Sequence, residues 1–101
     1  MTENVHLLTE AIDDLEEIYS IYMKMAGRQY AERITDKLID TAETLGIFPY
    51  AGAIMPETEL AKREYRRIVC ENFVLVYKVI DKQVYIYRIV NGRTNYPELM
   101  K

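Results

Sequence analysis

"YRRIVCENFVLVYKVIDKQVYIYRIV", residues 65–90, decides the fold. It reads as three strands, Tyr65–Cys70, Phe73–Ile80 and Val84–Val90, rich in β-branched and aromatic residues and broken only by Glu71-Asn72 and Asp81-Lys82. Breaks that short make consecutive strands pair as an antiparallel meander. With a two-residue loop at Asp81-Lys82, Ile80 faces Gln83 and Val76 faces Tyr87. One sheet face then carries Phe73, Leu75, Tyr77, Val79, Val84, Ile86, Arg88 and Val90. The other carries Val74, Val76, Lys78, Ile80, Tyr85, Tyr87 and Ile89. The first suits packing on helices, with Arg88 paired to a helix carboxylate. The second is apolar enough to want a cover, and an exposed apolar face calls for a partner.

Upstream, Val5-His6-Leu7-Leu8 reads as a short strand, with His6 a structural strand residue and Thr9 the expected N-cap of a helix. Apolar residues at Leu8, Ala11, Ile12, Leu15, Ile18, Tyr19, Tyr22 and Met25 recur at helical spacing, opposite Asp13, Asp14, Glu16, Glu17 and Lys24. That acidic cluster reads as a solvated helix face. "AGR" at 26–28 interrupts, with Gly27 suited to the helix end. A second amphipathic run, Tyr30, Ala31, Ile34, Leu38, Ala42 and Leu45, ends at Gly46 and cannot resume through Pro49. The two make an antiparallel helical hairpin. "FPYAGAIMPETELAK", 48–62, reads as irregular. The expected architecture is therefore α+β: an N-terminal strand and a helical hairpin packed on an antiparallel sheet, as one domain over 1–101.

Composition narrows the function classes. No apolar run approaches the length of a membrane span, so no membrane association is expected. Met1-Thr2-Glu3-Asn4 shows neither the basic nor the apolar region of a signal peptide. Cys70 is the sole cysteine, so no internal disulfide can form and a reducing cytoplasm is the expected location. One His and one Cys, without clustered acidic spacing, give no metal site, and no phosphate loop or nucleophile motif occurs. No cofactor is expected. Residues 1–61 hold four Lys/Arg against twelve Asp/Glu, whereas residues 62–101 hold nine against four. That asymmetry fits either a partner for the basic half, an acidic protein or nucleic acid, or attraction between the halves within the fold.

The basic half supplies the candidate site. Arg66 and Arg67 are adjacent on a strand and point to opposite faces. Lys78 shares a face with Tyr85 and Tyr87, and Arg93 precedes Tyr96 by three residues. Arginine and tyrosine on a sheet suit an RNA-handling surface or a protein interface equally. Lys78, Tyr85, Tyr87, Val74 and Val76 are the candidate partner-binding residues.

"DDLEEIYSIY" at 13–22, "LGIFPYAG" at 45–52 and "YRRIVCENFVLVYKVIDKQVYIYRIVNGRTNY" at 65–96, in that order, resemble the RelE/ParE superfamily of type II toxin–antitoxin toxins (plasmid stabilisation proteins). The resemblance implies a β-α-α-β-β-β fold and a cognate antitoxin whose C-terminal segment wraps the toxin. A homodimer or a toxin–antitoxin hetero-oligomer is the implied assembly. It also implies one of two activities. RelE-like members cut mRNA on the ribosome, promoting attack of the ribose 2′-hydroxyl on the next phosphate. ParE-like members poison DNA gyrase. Carried over, Arg66 or Arg67, Arg93 and Tyr96 match catalytic positions of the ribonucleases. Val74, however, stands where nuclease branches commonly place Arg, and Asn91 where several place His. Valine cannot stabilise phosphorane charge, and asparagine cannot exchange a proton near neutral pH. A pI near 5.2 also suits rRNA poorly. The favoured expectation is a ParE-like toxin that binds a protein target. The alternatives are a ribosome-dependent endoribonuclease, or a toxin fold that only binds antitoxin.

Overall fold

A computed structural model describes residues 4–101. Met1, Thr2 and Glu3, which carry most of the leader reading, lie outside the described residues. Nine elements follow in order: β1 (Val5–Leu7), α1 (Thr9–Ala26), α2 (Arg28–Ile47), β2 (Ala53–Ile54), α3 (Thr58–Lys62), β3 (Arg66–Cys70), β4 (Phe73–Ile80), β5 (Gln83–Asn91) and α4 (Tyr96–Leu99). The sheet order is β1-β5-β4-β3-β2. β2 to β5 pair antiparallel, while β1 joins the far edge parallel to β5 with Val5 opposite Val84.

The helices form where the apolar spacing places them, with different ends. Leu8, not Thr9, occupies the cap position of α1, and no side chain caps it. Gly46 lies inside the last turn of α2, where its carbonyl accepts a 2.7 Å bond from Asn4 Nδ2. Gly27 at φ +92° closes α1 and opens α2 as a one-residue joint. A side chain there would be strained by that backbone, although a Cβ would meet nothing within 4 Å. α2 buries Ala31, Ile34, Leu38, Ala42 and Leu45, its full expected stripe except Tyr30. α1 buries only Ala11 and Ile18, and Ile12, Ile21, Met23 and Met25 remain exposed. One core joins these helical residues to Phe73, Leu75, Tyr77, Val84, Ile86 and Ile89.

The hairpin register holds at its tip and slips beyond it. Ile80 pairs with Gln83 across Asp81 and Lys82, both with positive φ, as a two-residue turn with the twist of the strands requires. Farther along, Tyr77 faces Ile86 and Val76 faces Arg88, so Tyr87 has no partner opposite it. This β-bulge replaces the expected Val76–Tyr87 pair. An extra residue reverses side-chain parity, so Ile89 joins the helix-side core and Val90 the opposite one, against simple alternation.

That opposite core corrects the expectation of an open apolar sheet face. Val74, Val76 and Val90 are covered by Met55, Leu60 and Tyr65 from the segment around β2 and α3, and by Tyr96 and Met100 around α4. Val74 is 4% exposed and Val76 0%, so neither is presented to a partner in this fold. The stretch 48–62, read as irregular, supplies much of the cover, because Met55 and Leu60 are anchored by the Met55 N–H to Tyr65 O bond at 2.9 Å and the Tyr65 N–H to Leu60 O bond at 3.0 Å.

Candidate functional site

Adjacent strand positions send Arg66 and Arg67 to opposite sides, as expected, and both are occupied there. Arg66 donates from Nη1 to the Gly52 carbonyl at 2.7 Å, and its guanidinium lies 4.7 Å from the Tyr50 ring centroid. Arg67 donates from Nη1 to the Tyr96 hydroxyl at 2.7 Å, and Tyr96 itself is buried. Lys78 leans over Tyr65, with Nζ 4.3 Å from that centroid and 5.6 Å from Tyr87, rather than over Tyr85, its partner across the strands. Tyr65 and Tyr87 meet edge to face at 5.2 Å. Burial, then the neighbouring Tyr87, pushes the Tyr65 phenol above its usual range. Tyr85 instead stacks on His6 at 5.0 Å, and His6 Nε2 lies 2.8 Å from Gln83 Oε1.

The halves of unequal charge do not neutralise each other broadly. Among the described residues two ion pairs join them: Lys37 meets Glu71 at 2.6 Å, and Arg88 grips Asp14 in a fork of 2.8 and 3.0 Å, as read from the sequence, with the Ile89 N–H adding a third bond to Asp14 at 2.9 Å. The hydrogen bond to Asp14 raises the Arg88 pKa. Asp14 therefore belongs to a tie between α1 and β5, not to the solvated acidic face assigned to it. Arg66, Arg67 and Lys78 are held by a carbonyl, a phenol and rings instead.

Arg93 differs from these. It is exposed, and no described side chain pairs with its guanidinium. Its backbone N–H donates to Asn91 Oδ1 at 2.9 Å, a side-chain turn that takes the chain off the sheet. Gly92 takes part in that turn without a positive φ, and its N–H bonds to Asn72 O at 2.8 Å. Asn72, Asn91, Gly92 and Arg93 line a polar cup of about 290 Å³. It contains a cation and amides but no carboxylate or imidazole. Among the described residues no cluster could hold a metal ion.

Beside the cup lies a cleft of about 460 Å³ between α1 and the end of β5. Ile21, Tyr22, Met25, Phe73 and Leu99 give it an apolar wall, and Glu17 and the Asp14–Arg88 pair give it a charged rim. The sequence reading missed this cleft. The available signal was that α1 carries Ile21 outside its expected stripe, an apolar residue that one buried face does not use.

No curated protein matches the chain. Among solved structures, the chromosomal ParDE TA system from P. aeruginosa is similar, with 21% sequence identity and a TM-score of 0.67 over 89% of this chain and 98% of that one. At that identity the likeness is one of fold. The family model of the ParE toxin of the type II toxin–antitoxin system, parDE, matches residues 5–96, from β1 to the first residue of α4. The chain belongs to the ParE toxin family.

Proposed function

We propose that the chain, acting in the cytoplasm as one toxin domain over 1–101, arrests growth by binding a protein target such as DNA gyrase and is neutralised by a cognate antitoxin. The observation that carries this reading is that the candidate nuclease residues do not converge on one open site: Arg67 and Tyr96 meet, but as a part-buried tie, while Arg66 and Arg93 lie elsewhere. Arg66 and Arg67 face opposite sides and are both engaged, the Tyr96 hydroxyl is held by Arg67, and exposed Arg93 has only amides around it. Val74 is packed in a core where an arginine would be needed. Losing a positioned acid or base costs about 10²–10⁴ in rate, and losing a charge stabiliser about 10²–10³. Little cleavage would survive both.

The cleft with its exposed Ile21, Met25 and Leu99 supports a bound antitoxin segment, and the half-buried strip of Lys78, Tyr85 and Tyr87 remains a second contact in this proposal. Induced expression with separate readouts tests the target. Inhibited gyrase supercoiling with intact mRNA is the expected result. Cleavage of mRNA on translating ribosomes, abolished by Arg66→Ala or Arg93→Ala, would replace this reading with the ribonuclease one. No effect on either, with antitoxin still bound, would leave a toxin fold that only binds its antitoxin.

A further inference from the structure

Resting on the reading of the cleft as the antitoxin's seat, we infer that cleft and polar cup form one site, in which the antitoxin's apolar side chains fill the cleft and a carboxylate of the same segment binds Arg93. Asn91 lines both hollows, so the two are continuous. Asp14, Ile18, Ile21 and Met25 line the cleft at steps of four, three and four residues, and so follow one line along α1. That line is about 16 Å long, the reach of roughly three helical turns or five extended residues. Its rim is uncovered: Ile21 is 45% exposed, Met25 73% and Leu99 47%.

The two ends of this site differ in charge. At one end Asp14 is committed to Arg88, but Glu17 beside them is exposed and makes no ion pair among the described residues. From Arg88 to Asn91 the strand runs about 10 Å, which separates that end from the cup. Between them stands the apolar wall, where the Tyr22 and Phe73 rings meet edge to face at 6.2 Å. At the other end Arg93 is exposed and unpaired, and no acidic residue lines the cup. Asn91 Oδ1 is already taken by the Arg93 N–H, which leaves the Asn91 amide nitrogen to donate. Arg93 adds a planar fork of N–H donors that matches a carboxylate.

Charge decides the occupant. A phosphate backbone needs several cations in a row. Here a single arginine is followed along the cleft by Glu17, with Asp13 and Glu16 exposed on the same helix, so a nucleic acid is repelled at one end. A polypeptide avoids that conflict. It can set a cation opposite Glu17, apolar side chains on Tyr22 and Phe73, and a carboxylate on Arg93. The same arrangement fixes the segment's direction, because reversing it opposes a carboxylate to Glu17 and a cation to Arg93. A carboxylate seated on Arg93 also withholds that exposed cation from the toxin's target.

The probe is a phage-displayed library of random peptides of about 16 residues, long enough to cover cleft and cup. It is selected on the purified chain and counter-selected on the Ile21→Asp variant. Melting curves verify that Ile21→Asp and Arg93→Glu, both at exposed positions, keep the fold. The expected Ile21-dependent peptides carry apolar residues, with Asp or Glu recurring towards one end and Lys or Arg towards the other. Selection on Arg93→Glu should replace the recurring acid by a base. A synthetic peptide from the first selection should bind Arg93→Ala about tenfold more weakly, the scale of one charge-assisted hydrogen bond, and high salt should shrink that loss. The antitoxin that rescues growth on co-expression should carry the same order, and reversing its acid to Lys should weaken binding to the parent and strengthen it to Arg93→Glu. Ile21-dependent peptides without the recurring acid, peptides indifferent to Arg93→Glu, or an antitoxin lacking that order would overturn the inference and leave the cleft as a peptide seat. Absence of any Ile21-dependent peptide would overturn both.

Discussion

On one side of the sheet, Leu38, Ala42 and Leu45 of a 20-residue helix cluster with Leu75, Tyr77 and Ile86. On the other, Met55, Leu60, Tyr96 and Met100 cluster with Val74, Val76 and Val90, from in and around elements of two, five and four residues. Both sides bury apolar surface completely at their centres. They differ in what holds the cover in place. A long helix propagates its own hydrogen bonds, so its apolar stripe arrives as a unit. Short segments must each be fastened separately, by the Met55–Tyr65 backbone bond and the Arg67–Tyr96 side-chain bond. The helix side is therefore the cooperative foundation, and the opposite side is assembled upon it.

The sharpest way to break that comparison is to cut one methyl-rich side chain from each core. Leu38→Ala should cost about 4–5 kcal/mol in chemical denaturation, near the top of the range for such truncations, and Leu60→Ala about 2–3 kcal/mol, because a short segment can collapse into the gap. Equal losses would mean that the two sides fold as one unit. Next in size is the tie between α1 and β5. Asp14→Asn leaves the half-buried Arg88 without its charge partner and should cost about 2 kcal/mol, less than for a fully buried pair.

Tyr77→Phe, measured the same way, should cost about 1–2 kcal/mol by leaving Pro49 O and the Gly52 N–H without their partner. It also carries a pH signature. Burial chiefly raises the Tyr77 pKa, so the neutral phenol's contribution is present below the unfolded value of about 10 and is lost as pH rises past it. The variant should lose less stability than the parent above that pH. Tyr96→Phe should cost less, about 0.5–1 kcal/mol, and amide exchange should quicken around α4 before it does in α2. Uniform quickening would remove the distinction between the two covers. At the bottom of the scale, Arg93→Ala should change stability by under about 0.5 kcal/mol, yet weaken growth arrest in expressing cells. Undiminished arrest would take the cup off the functional map.

What could be read from sequence follows the same division. Helical spacing placed the α2 stripe apart from Tyr30, and the two-residue breaks placed the hairpins with Ile80 opposite Gln83. Arg88 reached a helix carboxylate as its position implied. The bulge at Tyr87 was not legible, because an extra residue inside an unbroken apolar run leaves no mark in the pattern, and it moved Ile89 and Val90 to the wrong faces. The cover over Val74 and Val76 was hidden for a different reason: segments this short have no periodicity to detect. Within the candidate site, chemistry was visible and company was not. Arg66, Arg67 and Lys78 stood out by their residue types, but their occupation by Gly52 O, Tyr96 and Tyr65 depends on segments folding back from distant positions.

One consequence follows from the joint at Gly27. Its dihedral angles, φ +92° and ψ 172°, mirror those of an extended L-residue. A D-alanine placed there by chemical synthesis would adopt that backbone without strain and restrict the denatured chain, an effect worth about 0.4–1 kcal/mol, whereas L-alanine would oppose the bend. The handedness of a single atom's substituents thus governs whether the two helices can lie back to back.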